Sequence, residues 1–298
     1  MIELVPNVSE GRRTEVVAAL ASQLADLSGV HLLDVSSDRS HHRSVYTLVG
    51  EPARLEHAAQ VVVAQALSAI DLRCHTGRHP RIGAVDVLPF VPLPGSTMSD
   101  CVRTARRVGA AIAARFELPV FLYEEAALVP GRHRLEDIRR GQFEGLDAKF
   151  RVAGWAPDFG PPHPHPTAGA IAVGARGLLV AFNVNLASDR IDVARRVASA
   201  VRERSGGLPG VKALGLTLDD RGIVQVSMNL TDVERTTLGQ AFERVRDEAA
   251  RDSVDVLESE IVGLVPRSAL VGTEVDALRL SNRRRDWVLE DRLASLST

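Results

Sequence analysis

The sequence predicts an α/β (α+β) protein made of two similar halves, and the order of its hydrophobic patterns supports this. Each half contains a strand, a helix, two strands, a helix and a further strand. Apolar residues spaced three and four apart indicate the helices, and short alternating or continuous apolar runs indicate the strands. The β-α-β-β-α-β order, present twice, is that of the split βαβ or ferredoxin-like plan.

The first half, assigned to residues 1–145, begins with a short apolar run that ends at Asn7-Val8-Ser9. Its patterns then predict a helix carrying Val17, Leu20, Leu24 and Leu27, strands at 30–35 and 45–49, a helix at 55–70 and a strand at 84–91. The capping box from Thr97 to Asp100 predicts an additional helix, and an apolar run predicts a strand at 120–123. This half therefore holds one full β-α-β-β-α-β set and an extra helix and strand.

The second half, assigned to residues 169–273, repeats the plan from a strand that ends at Asn183-Val184-Asn185. Ser188 and Asp189 are candidate caps for the next helix, and Asp219 to Gly222 form a strong hairpin signal. The further patterns predict a helix over 191–201, paired strands over 214–218 and 224–228, a helix over 238–249 and a strand over 256–265.

Two segments fall outside the repeat. A connector at 146–168 contains five prolines between Trp155 and Pro166, which excludes a helix and predicts stiff, extended chain. The stretch at 274–298, with Arg283, Arg284 and Arg285, is predicted to be an added helical extension. With helices on one face of each sheet, the bare faces are expected to meet across a ligand tunnel, with the helices outside.

Composition limits the classes of function. The 298 residues are 45% hydrophobic and 25% charged, as in ordinary globular proteins, and the net charge of -2 offers no overall attraction for nucleic acid or an anionic membrane. Two cysteines without a C-x-x-C spacing indicate a reducing compartment. With Glu3 near the start and no apolar stretch of bilayer length, the sequence predicts a cytoplasmic protein.

The segment from His75 to Val87 contains the strongest chemical signal. Pro80 disfavours a helical conformation for His79, and Gly77 and Gly83 let the backbone bend on either side. Two arginines, Arg78 and Arg81, flank the imidazole. Because an imidazole can accept and donate protons near neutral pH, His79 is the candidate acid/base residue.

This segment closely resembles the His-x-Gly-x-His-Pro-Arg-x-Gly-Ala-x-Asp-Val motif of the formiminotransferase family, also called glutamate formimidoyltransferases. The resemblance runs from Val5-Pro-Asn-Val-Ser-Glu-Gly11 to Val262-Gly-Leu-Val-Pro266, about nine tenths of the chain, through motifs that include Arg43-Ser-Val-Tyr-Thr47 and Trp155-Ala-Pro-Asp-Phe-Gly-Pro161. It implies two α/β subdomains around a folate-binding tunnel, and transfer of a formimino group from N-formimino-L-glutamate to N5 of tetrahydrofolate in histidine degradation. The co-substrate is tetrahydrofolate, no metal is expected, and the family's habit implies a homodimer.

The resemblance also implies site residues. The family's catalytic histidine falls on His79, and the matching Arg43 and Arg81 are candidate ligands for substrate carboxylates. Asp86 could orient His79 or bind substrate, or bond to backbone. The candidates for folate contacts in the connector and directly after it are Gly160, Pro161, His163, His165 and Gly169. The asparagines near strand ends could hold the pterin edge or cap helices: Asn7, Asn183, Asn185 and Asn229.

Other functions remain open from sequence alone. N-formylglutamate, which differs from the formimino compound by one O-for-NH exchange, is an alternative donor. A metal-dependent amidine hydrolase could use His41, His42, His75 and His79. A tandem RNA-binding protein is disfavoured because Val224-Gln-Val-Ser-Met228 offers no aromatic side chains for base stacking. Ser36 stands where some family members have an acid, so a second catalytic carboxylate is not expected there.

Overall fold

The computed structural model describes residues 1–284 and 286–296; Arg285, Ser297 and Thr298, which belong to the predicted extension at 274–298, lie outside the described residues. The chain divides into two compact units, residues 1–177 and residues 178–298. Each unit combines helices with a sheet that contains antiparallel strands, which confirms the predicted α+β class.

The first unit is built on one sheet, and its first elements follow one another along the chain in the order strand, helix, two strands, helix and strand. Its strands are β1 Ile2–Leu4, β2 Asn7–Val8, β3 Val30–Asp38, β4 Arg43–Gly50, β5 Val85–Pro92, β6 Val120–Glu124 and β7 Ile171–Ala175. β1 and β2 are successive pieces of one line of chain and lie between β4 and β5. The order is therefore β3, β4, β1 with β2, then β5, and these pairings are all antiparallel. β7 and β6 extend the sheet beyond β5 in parallel orientation.

Helices lie on both faces of this sheet, which corrects the expectation of helices on one face only. The long helices α1 Thr14–Ala25, α2 Pro52–Ala69 and α3 Met98–Phe116 share the main core with the strands. Two short helices, α4 Leu135–Arg139 and α5 Leu146–Phe150, pack against Phe121, Tyr123 and Ala172 on the opposite face of the outer strands. The alternation along β6 explains the division, because Val120 and Leu122 face the main core while Phe121 and Tyr123 face away.

β7 lies in the first unit, although the sequence pattern predicts that residues 169–273 form the second half. Its residues pair in parallel with β5 and with β6, and the chain passes to the other unit after Gly177. A five-residue apolar run is compatible with membership of either sheet, so only the long-range pairing decides the assignment.

The second unit has the predicted strand and helix order, with β8 Val180–Leu186, α6 Ile191–Val201, β9 Val211–Leu218, β10 Ile223–Leu230, α7 Leu238–Ala250 and β11 Val256–Val262. The sheet is antiparallel in the order β11, β8, β10, β9. Apolar residues of these strands form one core with α6 and α7. The alternate strand positions on the other face include Asn183, Asn185 and Gln225, which are buried.

Of the predicted caps and turns, some are confirmed by the structure and one is wrong. The capping box of Thr97 and Asp100 is present, and the Asp219–Gly222 turn joins β9 to β10 with Gly222 at a φ of 62°. By contrast, Arg190 caps α6 without a side-chain bond, so the proposed Ser188 or Asp189 cap is wrong.

The described part of the extension at 274–298 is mainly irregular rather than helical. It holds a short 3-10 turn at Val275–Leu278 and one short helix, α8 Leu289–Ala294. Leu280 and Val288 form bridges to Ser259 and Val265, so this segment follows the edge of β11. Within the described ranges, no helix has the length and apolar character needed to cross a bilayer.

Candidate active site

The loop that carries His79 is held closely between two other segments of the first unit. A Cβ atom on Gly77 would lie 2.5 Å from the His41 carbonyl oxygen, and one on Gly83 would lie 2.0 Å from the Ala170 carbonyl oxygen. Ala84 N–H donates to the Ala168 carbonyl at 3.1 Å, and Ala170 N–H donates to Ile82 at 3.0 Å. The loop conformation is thus fixed by close backbone contacts that leave no room for side chains at the two glycines.

His79 is oriented by its own loop. Nδ1 lies 2.8 Å from the Pro80 carbonyl oxygen, which can only accept a hydrogen bond, so Nδ1 carries the proton and Nε2 of the neutral ring has a lone pair. Burial, and then the positive charges of Arg43 and Arg139, hold the pKa of His79 well below its usual value. The lowered pKa favours the neutral ring, in which Nε2 keeps its lone pair.

A buried charge network lies beside His79 and contains three residues expected from sequence. Arg43 Nη1 donates to Asp86 Oδ2 at 2.7 Å, and Arg43 Nε and Nη2 donate to Asn7 Oδ1 at 3.1 and 2.9 Å. The other oxygen of Asp86 accepts the Ile82 N–H at 2.9 Å, and Asp86 is fully buried. Arg139, at the end of α4, donates to the same Oδ2.

Asp86 therefore binds two guanidinium groups and the backbone of the His79 loop, and the set carries one more positive charge than negative charge. Burial lowers the pKa of Arg43 to about 10, with the Arg139 charge acting in the same direction and Asp86 opposing it. Both positive charges of the set lower the pKa of Asp86, which overcomes the effect of burial. A site of this kind favours an anionic ligand.

Arg81 has partners within the chain. Its guanidinium donates to both oxygens of Glu144, at 3.0 and 2.6 Å, and its Nε donates to His75 Nδ1 at 3.1 Å. The Arg81 carbonyl also accepts the Phe143 N–H at 2.9 Å. These bonds tie the His79 loop to the segment between α4 and α5. Arg78 is exposed, and its backbone N–H donates to Ser40.

Two histidines stack beneath the loop. The rings of His42 and His75 lie 4.1 Å apart at an interplanar angle of 7°. His75 Nε2 lies 3.0 Å from the His42 carbonyl, and His42 Nε2 lies 3.1 Å from Glu10 Oε1. His42 Nδ1 lies 3.1 Å from the carbonyl of Thr76. The nitrogens of these rings are engaged by the protein itself, so the pair is a structural support of the loop.

His41 differs from the other histidines of this region. Its ring centroid lies 6.0 Å from that of His79, it is buried, and its Nε2 has no hydrogen-bond partner among the described residues. The described residues also contain no group of three His, Cys, Asp or Glu side chains arranged to hold a metal ion. The four histidines considered for a metal-dependent hydrolase are thus placed as one stacked pair and one tilted pair.

The last residues of the connector, and Gly169 after them, lie against the His79 loop. His165 and Gly169 exchange backbone hydrogen bonds at 2.8 and 2.9 Å, and Gly169 has a φ of 68° with the Ile82 carbonyl 2.1 Å from where its Cβ would be. His165 Nδ1 accepts from the Ala168 N–H at 3.1 Å, so this ring stabilises the turn. Gly160 also has a positive φ, of 89°, beside the Leu118 carbonyl.

The remaining connector candidates are less constrained. Pro161 is half-buried, and His163 is exposed, with Nδ1 3.4 Å from the Pro164 carbonyl.

The asparagines of the second unit occupy the sheet face away from α6 and α7. Asn183 Nδ2 donates to Glu260 Oε1 at 2.9 Å, and Asn185 Nδ2 donates to Glu258 Oε1 at 3.1 Å. Gln225, fully buried, donates to Asn185 Oδ1 at 2.9 Å and to Glu260 Oε1 at 3.1 Å. These amides are strand residues bound to one another and to carboxylates.

Asn229 is exposed on β10, and Asn7 is a strand residue of the first unit. None of the four asparagines considered as helix caps has that role, because other residues cap the described helices that follow their strands.

Four residues of these hydrogen-bond networks are not predicted from the sequence: Arg139, Glu144, Glu258 and Glu260. Arg139 and Glu144 lie 53 and 63 positions from the residues they bind. Glu258 and Glu260 could have been found from their spacing. Residues two positions apart in a strand lie on the same face, and the repeat predicts which strands neighbour this one.

We expect stability to fall as the pH is lowered below about 6.5, the usual pKa of an unfolded histidine. Burial lowers the pKa of His75 to about 4, and burial also lowers the pKa of His42. The unfolded chain then binds more protons than the folded one between pH 6.5 and 4, which favours unfolding. Glu3 acts in the opposite direction, because burial raises its pKa from 4.5 to about 7, a shift as large as that of His75. The expected net fall in stability therefore depends on His42 and on His79, whose pKa values burial also lowers.

Urea denaturation at pH 7.5 and 5.0 tests this balance. The midpoint is expected at lower urea at pH 5.0, and the difference should shrink in His75→Gln and persist in the control His31→Gln, at an exposed position. Equal midpoints at the two pH values, or an unchanged difference in His75→Gln, would contradict the assignment.

Comparison with known proteins gives one family for both units. The model of the formiminotransferase domain, N-terminal subdomain, matches residues 1–176, and that of the formiminotransferase domain matches residues 181–285. The glutamate formimidoyltransferase of Streptococcus pyogenes serotype M1 is 46% identical over 271 residues, 91% of each chain. That of Thermoplasma acidophilum is 42% identical over 295 residues, 98% of this chain and 97% of the relative.

A two-activity relative matches over part of its length. The formimidoyltransferase-cyclodeaminase of Sus scrofa is 44% identical over 277 residues, which are 91% of this chain and 51% of that protein. This chain therefore spans about half of the two-activity relative and almost all of the two glutamate formimidoyltransferases. From the motifs, the two family models and these identities together, the chain belongs to the formiminotransferase family.

Proposed function

We propose that this protein is a glutamate formimidoyltransferase, which transfers the formimino group from N-formimino-L-glutamate to N5 of tetrahydrofolate. The observation that carries the proposal is the geometry of His79, a base with a fixed Nδ1 proton and an Nε2 lone pair, beside a buried cluster with excess positive charge. The activities named for the relatives of similar length agree with it.

The chemistry needs one group that moves protons in both directions. When N5 attacks the amidine carbon, a C–N bond forms and N5 loses a proton, which His79 Nε2 accepts. The resulting imidazolium then donates a proton to the glutamate nitrogen as the old C–N bond breaks and glutamate leaves. The proton count balances with no other reactant.

The substrates carry several carboxylates, and the excess charge around Asp86 suits one of them. In this proposal Arg43 is the cation that contacts substrate, Asp86 and Asn7 hold its guanidinium in place, and Arg81 fixes the loop through Glu144. For folate we propose contacts from the connector residues Gly160, Pro161, His163 and His165, and from Gly169 directly after the connector. The amides Asn183, Asn185 and Asn229 of the second unit are separate candidates for binding a pterin ring. The amide side chains are suited to the donors and acceptors of a pterin ring.

A spectrophotometric assay with tetrahydrofolate and either N-formimino-L-glutamate or N-formyl-L-glutamate tests the proposal. We expect turnover with the formimino donor, none without tetrahydrofolate, and the same rate after treatment with a strong chelator. Hydrolysis of the amidine without folate would instead support the hydrolase, and turnover with the formyl donor alone would assign the alternative donor.

Two further expectations accompany this proposal. That the protein is a homodimer and that it is located in the cytoplasm stay predictions. Analytical ultracentrifugation of the active protein would measure its oligomeric state.

A further inference from the structure

The charge network beside His79 carries a positive charge that its internal ion pairs do not neutralise. Arg43 and Arg139 both bind Oδ2 of Asp86, while Oδ1 is occupied by the backbone of Ile82. The side chains of the two arginines are only 9% and 15% exposed, so water screens their charges weakly. One carboxylate cannot neutralise two guanidinium groups, and the remaining positive charge favours a second anion.

Unsatisfied polar atoms mark where that anion would bind. Arg139 Nε is buried and has no hydrogen-bond partner among the described residues, and the same holds for His41 Nε2, whose ring is next to that of His79. Buried polar atoms in folded proteins nearly always have partners, because leaving one without a bond is costly. An acceptor supplied by a ligand would satisfy the Arg139 Nε–H and compensate the charge.

The chemistry of the donor identifies the group. In N-formimino-L-glutamate the nitrogen that leaves is attached to Cα, and Cα also carries the α-carboxylate. When the amidine lies at His79, the α-carboxylate is therefore only two bonds from the reacting nitrogen, whereas the γ-carboxylate lies at the end of a flexible chain. The anion that can sit beside His79 is the α-carboxylate.

We infer that Arg139, together with Arg43, binds the α-carboxylate of the amino-acid donor and so sets the position of the leaving nitrogen at His79. This inference rests on the proposed function, since it concerns the donor of that reaction. It makes Arg139 a specificity-determining residue. Arg139 is positioned by α4, which packs on the face of the first sheet opposite the main core.

The test compares donors that differ only at this group. With the wild type, we expect N-formimino-L-glutamate to exceed its α-carboxamide analogue in kcat/KM by about 10- to 100-fold, the usual effect of one charged hydrogen bond. In Arg139→Gln the donor KM should rise by a similar factor, and the preference for the carboxylate over the carboxamide should largely disappear. The KM for tetrahydrofolate should stay within about twofold of the wild-type value in the same variant.

Arg140→Gln is the matched control, because Arg140 is the next residue, exposed, and paired with Asp137. Arg139→Lys keeps the charge without the paired donors of a guanidinium and should give an intermediate donor KM. A folded Arg139→Gln protein with an unchanged donor KM would overturn the inference. Equal use of both donors by the wild type would also overturn it, even if the variant did not fold.

Calorimetric titration separates this inference from the proposed function. L-glutamate, the expected product, should bind wild type more tightly than isoglutamine, its α-carboxamide, and this difference should vanish in Arg139→Gln. If the wild type transfers no formimino group but shows the binding difference, the proposed function fails and the carboxylate site stands. If transfer is normal and glutamate binds Arg139→Gln as tightly as wild type, the site assignment fails and the function stands.

Discussion

Replacement of His79 by alanine is expected to reduce kcat for formimino transfer by at least about 100-fold, within the usual range for loss of a general acid/base. In the proposed mechanism the lone pair of His79 Nε2 takes the proton from the attacking nitrogen, while Nδ1 is hydrogen-bonded to the Pro80 carbonyl. Tetrahydrofolate affinity should be largely kept, since the ring is small and the backbone of its loop is fixed elsewhere. Single-turnover kinetics with saturating substrates would measure the loss.

The pH dependence gives a second measurement of the same assignment. Because burial and the charges of Arg43 and Arg139 lower the pKa of His79, the acidic limb of the kcat/KM profile should lie below pH 6.5. As the pH falls through the lowered pKa the base becomes protonated and the rate declines. In His79→Ala this limb should be lost, and added imidazole should restore part of the rate.

His57→Ala is a suitable control, because His57 lies on the exposed side of α2 and takes no part in the contacts described around His79. It is expected to keep the wild-type rate and profile. Turnover of His79→Ala near that of wild type would show that another group moves the protons, and would remove the mechanism while leaving the family assignment intact.

The repeated part of the fold was predictable because its elements are long and periodic. α2 and α3 carry buried residues at three- and four-residue spacing through several turns, and the Thr97–Asp100 box marks where α3 begins. The hairpin of β9 and β10 is indicated by alternation on both sides of a Gly-containing turn. Such patterns depend on neighbours in the sequence, so they are visible without knowledge of the tertiary fold.

The elements that escaped prediction depend on distant contacts. α4 and α5 have five residues each, too few to show a helical period, and they form where Phe121 and Tyr123 offer an apolar surface. β7 is a strand of the first sheet because of its pairing with β5 and β6. The described residues of the extension follow β11 through single bridges, which no local pattern shows.

The candidate site divides in the same way. His79, Arg43, Asp86 and Asn7 could be proposed from residue type and motif, and the structure brings them together. The role of Arg81 could not be judged from its place beside Pro80, because its partner Glu144 lies 63 residues away. A guanidinium next to His79 could bind substrate or hold the loop, and its bonds to Glu144 are the basis on which we propose the second role.

The largest effect on stability is expected from Asp86→Asn. The change keeps the shape of the side chain but removes the negative charge that Arg43 and Arg139 share, and burial then leaves two cations without a counterion. Removal of one partner from a buried ion pair typically costs about 3–5 kcal/mol, because the remaining charge has lost both water and its partner. Activity should fall as well, since the charged Oδ2 of Asp86 holds the Arg43 guanidinium that is proposed to contact substrate.

Thermal unfolding at pH 7 would measure this effect, with Asp147→Asn as the control. Asp147 and Arg151 form an exposed pair, with 68% and 78% of their side chains accessible, so that change should cost at most about 1 kcal/mol. In the double variant Asp86→Asn, Arg139→Gln one of the uncompensated cations is removed, and part of the lost stability should return. If Asp86→Asn unfolds at the wild-type temperature, or the second change adds a full further loss, Asp86 is not the shared counterion and the excess positive charge beside His79 would need another origin.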